Sequence, residues 1–282
     1  MSKFIYKDGE WDTSSRTYVM GILNITPDSF SDGGMYTDPA AALDRAVMME
    51  QQGADCIDIG AQSTRPGHVP ITPEEEWERL CPVLEILCGK ISVPISVDTY
   101  LPEIARRSVE YGASIINDVS GDVESGMLEV AASTGAGIIS MYSGGGADDD
   151  GGKRNSFICM LDYFRRIMTA AQCMGLATRR IALDPGIGFG KSRQDDLETL
   201  VQLEKITDEW CENAVLVGGS RKRVIDSCLA FDTCPDERMS GTIALHTVSQ
   251  FFGARILRVH DVTEAVQAAR VTDALILTKN NV

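Results

Sequence analysis

The segment 21–34 holds the densest group of side chains in this chain that could do chemistry. It reads Gly-Ile-Leu-Asn-Ile-Thr-Pro-Asp-Ser-Phe-Ser-Asp-Gly-Gly, so an apolar run stops at Asn24 and a polar loop follows. An apolar run bounded by turn residues is typical of a strand that is buried on both faces. The segment therefore predicts a buried strand whose end presents amide, hydroxyl, carboxylate and aromatic groups, from Asn24, Thr26, Asp28, Ser29 and Phe30.

Polar side chains also end the other apolar runs. The set of such ends is Asn24, Asp58, Asp98, Asn117, Ser140, Asp184, Ser220 and Arg258. In a barrel of parallel strands the carboxyl ends share one rim, and barrel enzymes place their active sites there. We therefore expect these side chains to converge on one site.

The elements that must position these residues alternate along the chain as strand and helix. The predicted strands are 18–24, 56–59, 95–97, 115–117, 137–141, 181–183, 215–217 and 255–259. A helical pattern follows each strand, including one helix expected at about 195–210. Eight strand–helix units of about 35 residues each predict an α/β fold, a (β/α)8 TIM barrel.

The barrel is predicted as a single domain over residues 18–282, after a lead-in at residues 1–17 that could form a hairpin over one barrel end. A doubly wound sheet is the alternative that alternating strands and helices also allow. The glycine-rich segment 186–191 lacks the Gly-x-Gly-x-x-Gly spacing of a dinucleotide site. The polar strand ends favour the barrel.

Composition and charge exclude several classes of protein. The net charge of −15 argues against a nucleic-acid partner, which would need a basic face. No apolar run approaches the roughly 20 residues of a membrane span, and the first residues lack a signal-peptide core. The eight cysteines are scattered without a Cys-x-x-Cys motif, which fits a reduced cytosol. We expect a soluble cytoplasmic protein without a membrane partner.

Seven blocks of sequence resemble the dihydropteroate synthases, and they occur in the order found in that family. The resemblance extends from residue 21 to about residue 274. The blocks are Leu23-Asn-Ile-Thr-Pro-Asp-Ser-Phe-Ser-Asp-Gly-Gly34, Ser63-Thr-Arg-Pro-Gly67, Ser96-Val-Asp-Thr99, Ile116-Asn-Asp-Val119, Asp184-Pro-Gly-Ile-Gly-Phe-Gly-Lys191, Ser220-Arg-Lys222 and Arg258-Val-His-Asp-Val262.

The resemblance implies a transferase of folate biosynthesis, a class of enzyme that sulfonamides target. Such an enzyme condenses 6-hydroxymethyl-7,8-dihydropterin diphosphate with p-aminobenzoate, giving 7,8-dihydropteroate and diphosphate. The implied pterin-binding residues are Asp98, Asn117, Asp184 and Lys222. Carboxylates, an amide and an ammonium complement the donors and acceptors of a pterin edge. Each also has a structural alternative: a helix cap, a buried amide pair, a turn and a loop charge, respectively.

The leaving diphosphate needs cations or a metal, because negative charge grows on the bridging oxygen as the C–O bond breaks. The resemblance implies Thr64, Arg65, Arg258 and His260 as its ligands, and Asn24 as a ligand of Mg²⁺. An amide oxygen with phosphate oxygens and water suits magnesium. The structural alternatives are a rim salt bridge for Arg258 and a cap for His260.

The remaining implied roles belong to the aminobenzoate side of the site. Asp28 would lie near the developing cation with Arg65 as its partner, and Lys222 would also act in catalysis. The family is thought to react through an SN1-like state, and the arylamine is neutral at pH 7, so no strong general base is required. The implied p-aminobenzoate residues are Phe30, Thr64, Pro66, Phe189, Ser220 and Arg223.

Three positions depart from the usual family pattern. Gln62 replaces a glutamate, Ser140-Met141-Tyr142 replaces Met-His-Met, and Arg223 replaces a serine that follows Ser-Arg-Lys. Arg223 could grip the aminobenzoate carboxylate or fill its pocket, and the fifth strand could reshape the pocket wall. These changes bear on aminobenzoate affinity and sulfonamide response more than on pterin binding.

Two other functions fit the same residues. One is a diverged relative that binds pterin without turnover, and the other is a pterin-dependent methyltransferase, against which the 24–34 loop and Ser220-Arg-Lys222 argue. Residues 143–152 form a low-complexity stretch that is either a solvated loop or a lid. A homodimer through the last helices is implied by the resemblance alone.

Overall fold

The structure is a computed structural model that describes residues 2–26, 38–62, 70–144, 155–229, 231 and 233–281. Near the amino terminus, β1 (Phe4–Tyr6) and β2 (Gly9–Trp11) pair as an antiparallel hairpin. The Phe4 ring lies so close to Gly137 that a Cβ there would be 2.8 Å from it. Gly137 begins a central strand, so the hairpin packs against the amino-terminal end of the sheet.

Eight parallel strands form the centre of the molecule in the order β8-β7-β6-β5-β4-β3-β10-β9. Their bounds are β3 Tyr18–Asn24, β4 Cys56–Gly60, β5 Ile95–Thr99, β6 Ile115–Asp118, β7 Gly137–Met141, β8 Ile181–Asp184, β9 Leu216–Val217 and β10 Ile256–Val259. A parallel bridge between Leu183 and Val215 joins the two outer strands and closes the barrel. The predicted (β/α)8 fold is confirmed.

Helices surround the sheet. They are α1 Pro39–Gln51, α2 Pro73–Leu87, α3 Pro102–Glu110, α4 Met127–Thr134, α5 Ser156–Cys173, α6 Arg193–Val201, α7 Leu203–Glu209, α8 Arg223–Asp226, α9 Met239–Phe251 and α10 Val262–Asn281. Two 3-10 turns lie at Thr178–Arg180 and Pro235–Arg238.

The single helix predicted at 195–210 is wrong, because the chain breaks at Gln202 into α6 and α7. The Gln202 N–H donates to Thr199 at 3.1 Å, a 3-10 contact. Its side-chain amide instead bonds the Glu198 carbonyl, at 2.9 Å. A side chain that competes for a helical carbonyl can end a helix where no proline or glycine marks the end.

Two apolar clusters fill the molecule, one between sheet and helices and one inside the barrel. The inner cluster consists of Phe4, Trp11, Tyr18, Met20, Cys56, Ile115, Ile139, Ala182, Ala214, Leu216 and Ile256. Side chains on one strand alternate between its two faces. A residue that lies two positions after an inner-cluster residue therefore also faces the barrel axis, nearer the carboxyl rim.

The described residues include no helix with the length and hydropathy that a membrane crossing requires. All eight cysteines are described, and each is a free thiol.

Candidate functional site

A row of residues crosses four neighbouring strands near their carboxyl ends. The register pairs Asn24 with Gly60, Gly60 with Asp98, and Asp98 with Asn117. A Cβ on Gly60 would lie 3.5 Å from the Asn24 Oδ1 and 3.7 Å from the Asp98 Oδ2. The Asn24 amide oxygen and the Asp98 carboxylate therefore both lie within van der Waals contact of the position that a side chain at Gly60 would occupy.

Strand β10 brings Arg258 to this row from the other side of β3. Its Nε donates to the Asp58 Oδ2 at 2.6 Å, and its Nη2 donates to the Asp98 Oδ2 at 2.7 Å. The two carboxylates raise the pKa of Arg258 against the effect of burial. Burial raises the pKa of Asp98, and Arg258 opposes that rise. A cation thus bridges two buried anions at the rim.

Asp58 is a member of the site that sequence reasoning noted as a polar strand end but gave no role. It is fully buried, and its Oδ2 also accepts from the Asn117 Nδ2 at 3.1 Å. Its Oδ1 has no hydrogen-bond partner among the described residues. Asp58 lies two positions after the inner-cluster residue Cys56, and a carboxylate facing inwards needs a partner. The alternation of side chains along β4 is therefore the sequence signal that could have assigned Asp58 to the site.

Asp184 and Lys222 form the other side of the rim. Asp184 is buried and accepts the Gly186 N–H at 2.7 Å. The Lys222 ammonium donates to the Ile187 carbonyl and lies 4.3 Å from the centre of the Phe189 ring. Burial lowers the pKa of Lys222 to about 8, and attraction by Asp184 opposes this. Burial raises the pKa of Asp184, and Lys222 opposes that rise.

The two sides meet at Gly218. A Cβ at this position would lie 3.8 Å from the Arg258 Cβ and 3.9 Å from the Lys222 Nζ. Two cationic side chains therefore lie within van der Waals contact of the position that a Cβ at Gly218 would occupy. Within the described residues, no group of three or more His, Cys, Asp and Glu side chains is arranged to hold a metal ion.

Ser220 and His260 form a pair beside the two cations. The Ser220 Oγ and the His260 Nδ1 are 3.0 Å apart, and the His260 backbone N–H donates to the same hydroxyl at 3.2 Å. Arg221, between Ser220 and Lys222, has a left-handed backbone with φ of 60°. Its guanidinium is held by Asp261, with an Nε to Oδ2 distance of 2.9 Å. The turn is thus tied to the end of β10.

The structure brings together most of the predicted site residues that it describes. Asp98, Asn117 and Arg258 share one network through Asp58, and Asn24 lies beside it in the same row. Asp184, Lys222 and Phe189 lie next to this network, and Ser220 pairs with His260. Arg223 lies apart, exposed in the first turn of α8. The predicted residues Asp28, Phe30, Thr64, Arg65 and Pro66 lie outside the described residues, as does most of the 143–152 stretch.

One strand end does not point into the site. The Ser140 hydroxyl lies 2.9 Å from the Tyr163 hydroxyl of α5, and both are buried between sheet and helix. Because Ile139 belongs to the inner cluster, its neighbour must face outwards. The expectation that Ser140 lies with the other strand ends is therefore wrong.

Gln62 belongs to the edge of the site. Its Nε2 donates to the Tyr100 hydroxyl at 2.9 Å, while its Oε1 has no hydrogen-bond partner in the described part of the chain. The pair joins the end of β4 to the residue that follows β5.

Comparison with known proteins identifies the family. The sequence model of the pterin binding enzymes matches residues 20–260. The dihydropteroate synthase of Escherichia coli strain K12 is 40% identical over 270 residues, which cover 95% of this chain and 94% of that protein. A Clostridium difficile dihydropteroate synthase, crystallised in the presence of pteroic acid, superimposes with a TM-score of 0.87 at 39% identity. That match covers 94% of this chain and 98% of the other.

The dihydropteroate synthase of Xanthomonas albilineans with 4-aminobenzoic acid has a TM-score of 0.85 at 37% identity, covering 94% of this chain and 95% of that one. These similarities extend over nearly the full length of each protein, so the likeness is not limited to a shared barrel. The chain belongs to the dihydropteroate synthase family of pterin-binding enzymes.

Proposed function

We propose that this protein is a dihydropteroate synthase that joins 6-hydroxymethyl-7,8-dihydropterin diphosphate to p-aminobenzoate and releases diphosphate. The observation that carries the proposal is the row of half-buried Asn24 with buried Asp98 and Asn117, joined by Arg258 and facing Asp184 and Lys222. Relatives have been crystallised with pteroic acid and with 4-aminobenzoic acid. A pocket with paired anions and cations suits a ligand that has a donor-rich ring and an anionic tail.

The pterin edge would be read by groups that already face the barrel axis. The Asp98 Oδ1 is buried without a hydrogen-bond partner among the described residues, and a buried acceptor of this kind suits a ring N–H. Asp184 supplies a second acceptor, Asn117 can both donate and accept, and Lys222 donates to a ring acceptor. These are the roles that the family resemblance implies for the same residues.

Arg258 has to serve two sets of anions in turn. In the structure it holds the Asp98 Oδ2, an atom that ring N–H groups would also use. Substrate binding would draw Nη2 away from Asp98 while Nε stays on Asp58, so that the guanidinium turns towards the diphosphate. Arginine suits this role because its planar fork can bind two phosphate oxygens at once. His260, Thr64 and Arg65 would contribute further donors.

Asn24 is the proposed ligand of Mg²⁺. Asn24 is half-buried at the carboxyl end of β3, so a cation could reach its Oδ1 from the rim. One amide oxygen is a small share of an octahedral shell, which fits magnesium that keeps its waters and binds the diphosphate oxygens. When bound, the ion supplies neutralisation of the leaving group's charge.

Positioning and charge stabilisation would account for the rate, since the arylamine needs no strong base. Arg258 and Lys222 border the position at Gly218 where negative charge can be stabilised as diphosphate leaves. Asp28 would lie near the developing cation at the pterin methylene, with Arg65 as its partner. The ring of p-aminobenzoate would pack against Phe30, Thr64, Pro66 and Phe189. Its carboxylate would lie near Ser220 and Arg223, at the start of α8.

A cytoplasmic location and a homodimer complete the proposal. The eight free thiols suit a reducing compartment. Apolar side chains are exposed on α9 and α10: Val248, Phe251, Val271 and Leu275. A second copy would bury this face, and light scattering of the purified protein at two concentrations would test it. A monomer at both concentrations would refute the dimer.

The reaction is tested by diphosphate release from the purified protein with pterin diphosphate, p-aminobenzoate and Mg²⁺. We expect release that depends on all three, with 7,8-dihydropteroate as the second product. Tight pterin binding without release would instead select a relative that no longer turns over. A parallel assay with a sulfonamide would show whether Arg223 and the other departures alter drug binding.

A further inference from the structure

The turn 218–222 presents both Ser220 and Lys222 to the site, so its backbone must be held in place. Helix α9 packs directly beneath it. A Cβ on Gly219 would lie 2.5 Å from the Leu245 Cδ2 of this helix, so a side chain at this position would force the Leu245 side chain to shift. The backbone of the turn therefore packs closely against α9.

Two side chains of α9 bond the backbone of the turn. The Gly219 N–H donates to the His246 Nε2 at 3.3 Å, and the Arg221 N–H donates to the Thr242 Oγ1 at 3.0 Å. Thr242 and His246 are four positions apart and so lie on the same face of the helix. Both are buried, at 2% and 1% exposure. The two bonds hold alternate N–H groups on either side of Ser220.

His246 can accept this bond only as a neutral imidazole with its proton on Nδ1. Burial and the nearby Lys222 charge lower the pKa of His246 to about 4, so the ring is neutral near pH 7. Its Nδ1 has no hydrogen-bond partner in the part of the chain that the structure describes. The Gly219 contact is therefore the polar contact that gives this buried ring its orientation.

The turn needs such support because its conformation is unfavourable. Arg221 has a φ of 60°, which a side chain with a Cβ adopts only when its surroundings impose it. Its guanidinium is tied to Asp261 on one side, while Thr242 holds its N–H on the other. Lys222 follows directly, so the direction of its side chain depends on this turn.

We propose that Thr242 and His246 are positioning residues that hold the 218–222 turn and so aim the Lys222 ammonium at the pterin. Both residues lie beneath the turn, away from the proposed substrate, and each acts on Lys222 through a backbone N–H of the turn. The choice of assay rests on the proposed function. The consequence is that a change beneath the turn, in α9, should alter pterin chemistry without touching a substrate-binding side chain.

Four variants separate acceptance of these bonds from packing. His246→Leu and Thr242→Val keep comparable volume but remove the acceptor. His246→Gln keeps an oxygen near the place of Nε2. Ser249→Ala is the control on the same helix, since Ser249 is buried and its hydroxyl donates to the Leu245 carbonyl of its own helix, at 2.8 Å.

We expect His246→Leu and Thr242→Val each to lower kcat/KM for the pterin diphosphate about 10-fold per folded molecule. The alkaline limb of kcat/KM should also move to higher pH, because a loosened turn exposes the Lys222 ammonium to water. His246→Gln should restore at least half of the loss. Ser249→Ala should lower Tm without either kinetic change.

Two results would overturn the proposal. One is kcat/KM within twofold of the unmodified protein for both acceptor-free variants, with only a loss of Tm. The other is an equal loss in His246→Gln and His246→Leu, which would assign the effect to ring packing. If the unmodified protein shows no turnover, the proposed function fails separately. Calorimetric affinity for pterin diphosphate then replaces kcat/KM, with the same expected ranking of variants.

Discussion

The two sides of the candidate site are built in different ways. On the β3–β6 side the functional groups belong to the strands themselves, and their row follows from strand register. On the β8–β9 side Lys222 and Phe189 lie in turns that are held by backbone hydrogen bonds. These turns pack closely, since a Cβ on Gly188 would lie 3.0 Å from the Lys222 Cδ. The sheet fixes the β3–β6 side, which we call the strand side, so substitutions there should change kcat/KM by altering charge. On the β8–β9 side, which we call the turn side, substitutions should change kcat/KM by displacing the turns.

The largest effect is expected from removing one central group on each side. Asp98→Ala and Lys222→Ala should each lower kcat/KM at least ~10²-fold, about 2.7 kcal/mol of transition-state stabilisation. Asp98→Ala removes an acceptor for the N–H groups of the pterin ring, and Lys222→Ala removes a cation beside the leaving group. Steady-state kinetics with varied pterin diphosphate measures both. Near-normal rates for both variants would refute the assigned roles.

On the strand side, a substitution that removes a charge but keeps the shape of the side chain should lower kcat/KM. Asp58→Asn removes the buried anion that holds Arg258 and Asn117, so we expect kcat/KM to fall roughly 30-fold, ~2 kcal/mol. Inorganic diphosphate should also inhibit less well. Asp55→Asn is the control at the amino end of the same barrel, where the carboxylate pairs with Arg16. An equal loss in the control would assign the effect to stability.

The pH profile should report one group from each side. Burial raises the pKa of Asp98, so kcat/KM should rise with pH as its carboxylate forms. Burial lowers the pKa of Lys222 to about 8, so kcat/KM should fall again above that pH as the ammonium loses its proton. We expect a narrow bell with limiting slopes of about tenfold per pH unit. A profile that stays flat up to pH 10 would contradict the lowered pKa of Lys222.

On the turn side, a substitution that loosens the 185–191 turn should lower kcat/KM. The Lys191 ammonium donates to the carbonyls of Pro185, Gly186 and Phe189, and it lies 3.7 Å from the buried Asp196. Lys191→Met should lower kcat/KM about 10-fold and destabilise the fold by ~3 kcal/mol, because Asp196 loses its cation. Lys205→Met, on the exposed surface of α7, is the matched control. Chemical denaturation and kinetics measure the two effects, and unchanged kinetics would show that the 185–191 turn does not position the site.

The smallest effect is expected at Arg223, which lies outside both networks. Arg223→Ser should raise the KM of p-aminobenzoate about threefold and leave the KM of pterin diphosphate unchanged, since an exposed ion pair contributes under ~1 kcal/mol. A fall in the KM of p-aminobenzoate would instead show that Arg223 fills the pocket.

The strand side could be predicted from sequence because alternation links each rim residue to the inner core. Asn117 and Asp184 follow Ile115 and Ala182 by two positions, and both face inwards as expected. The same rule predicts that Ser140 faces outwards, because its neighbour Ile139 belongs to the inner cluster. An apolar run with a polar end does not by itself show which face of the strand the polar residue is on.

Pairing across the barrel was harder to predict. Arg258 and Asp58 are 200 residues apart, and nothing local to either indicates the other. The turn side depends on α9, where a histidine in a helical pattern is typical of an ordinary core position. Its bond to Gly219 is a property of how the helix docks, which a single sequence does not encode locally.

A crystal structure with pterin diphosphate tests most directly whether both sides of the site bind one ligand. We expect ring contacts within about 3.2 Å to Asp98, Asn117, Asp184 and Lys222. We also expect Arg258 to have turned from Asp98 to the diphosphate, with Asp58 still on its Nε. A pterin ring bound away from these four residues, or an Arg258 that keeps both carboxylates while diphosphate binds elsewhere, would contradict these expectations.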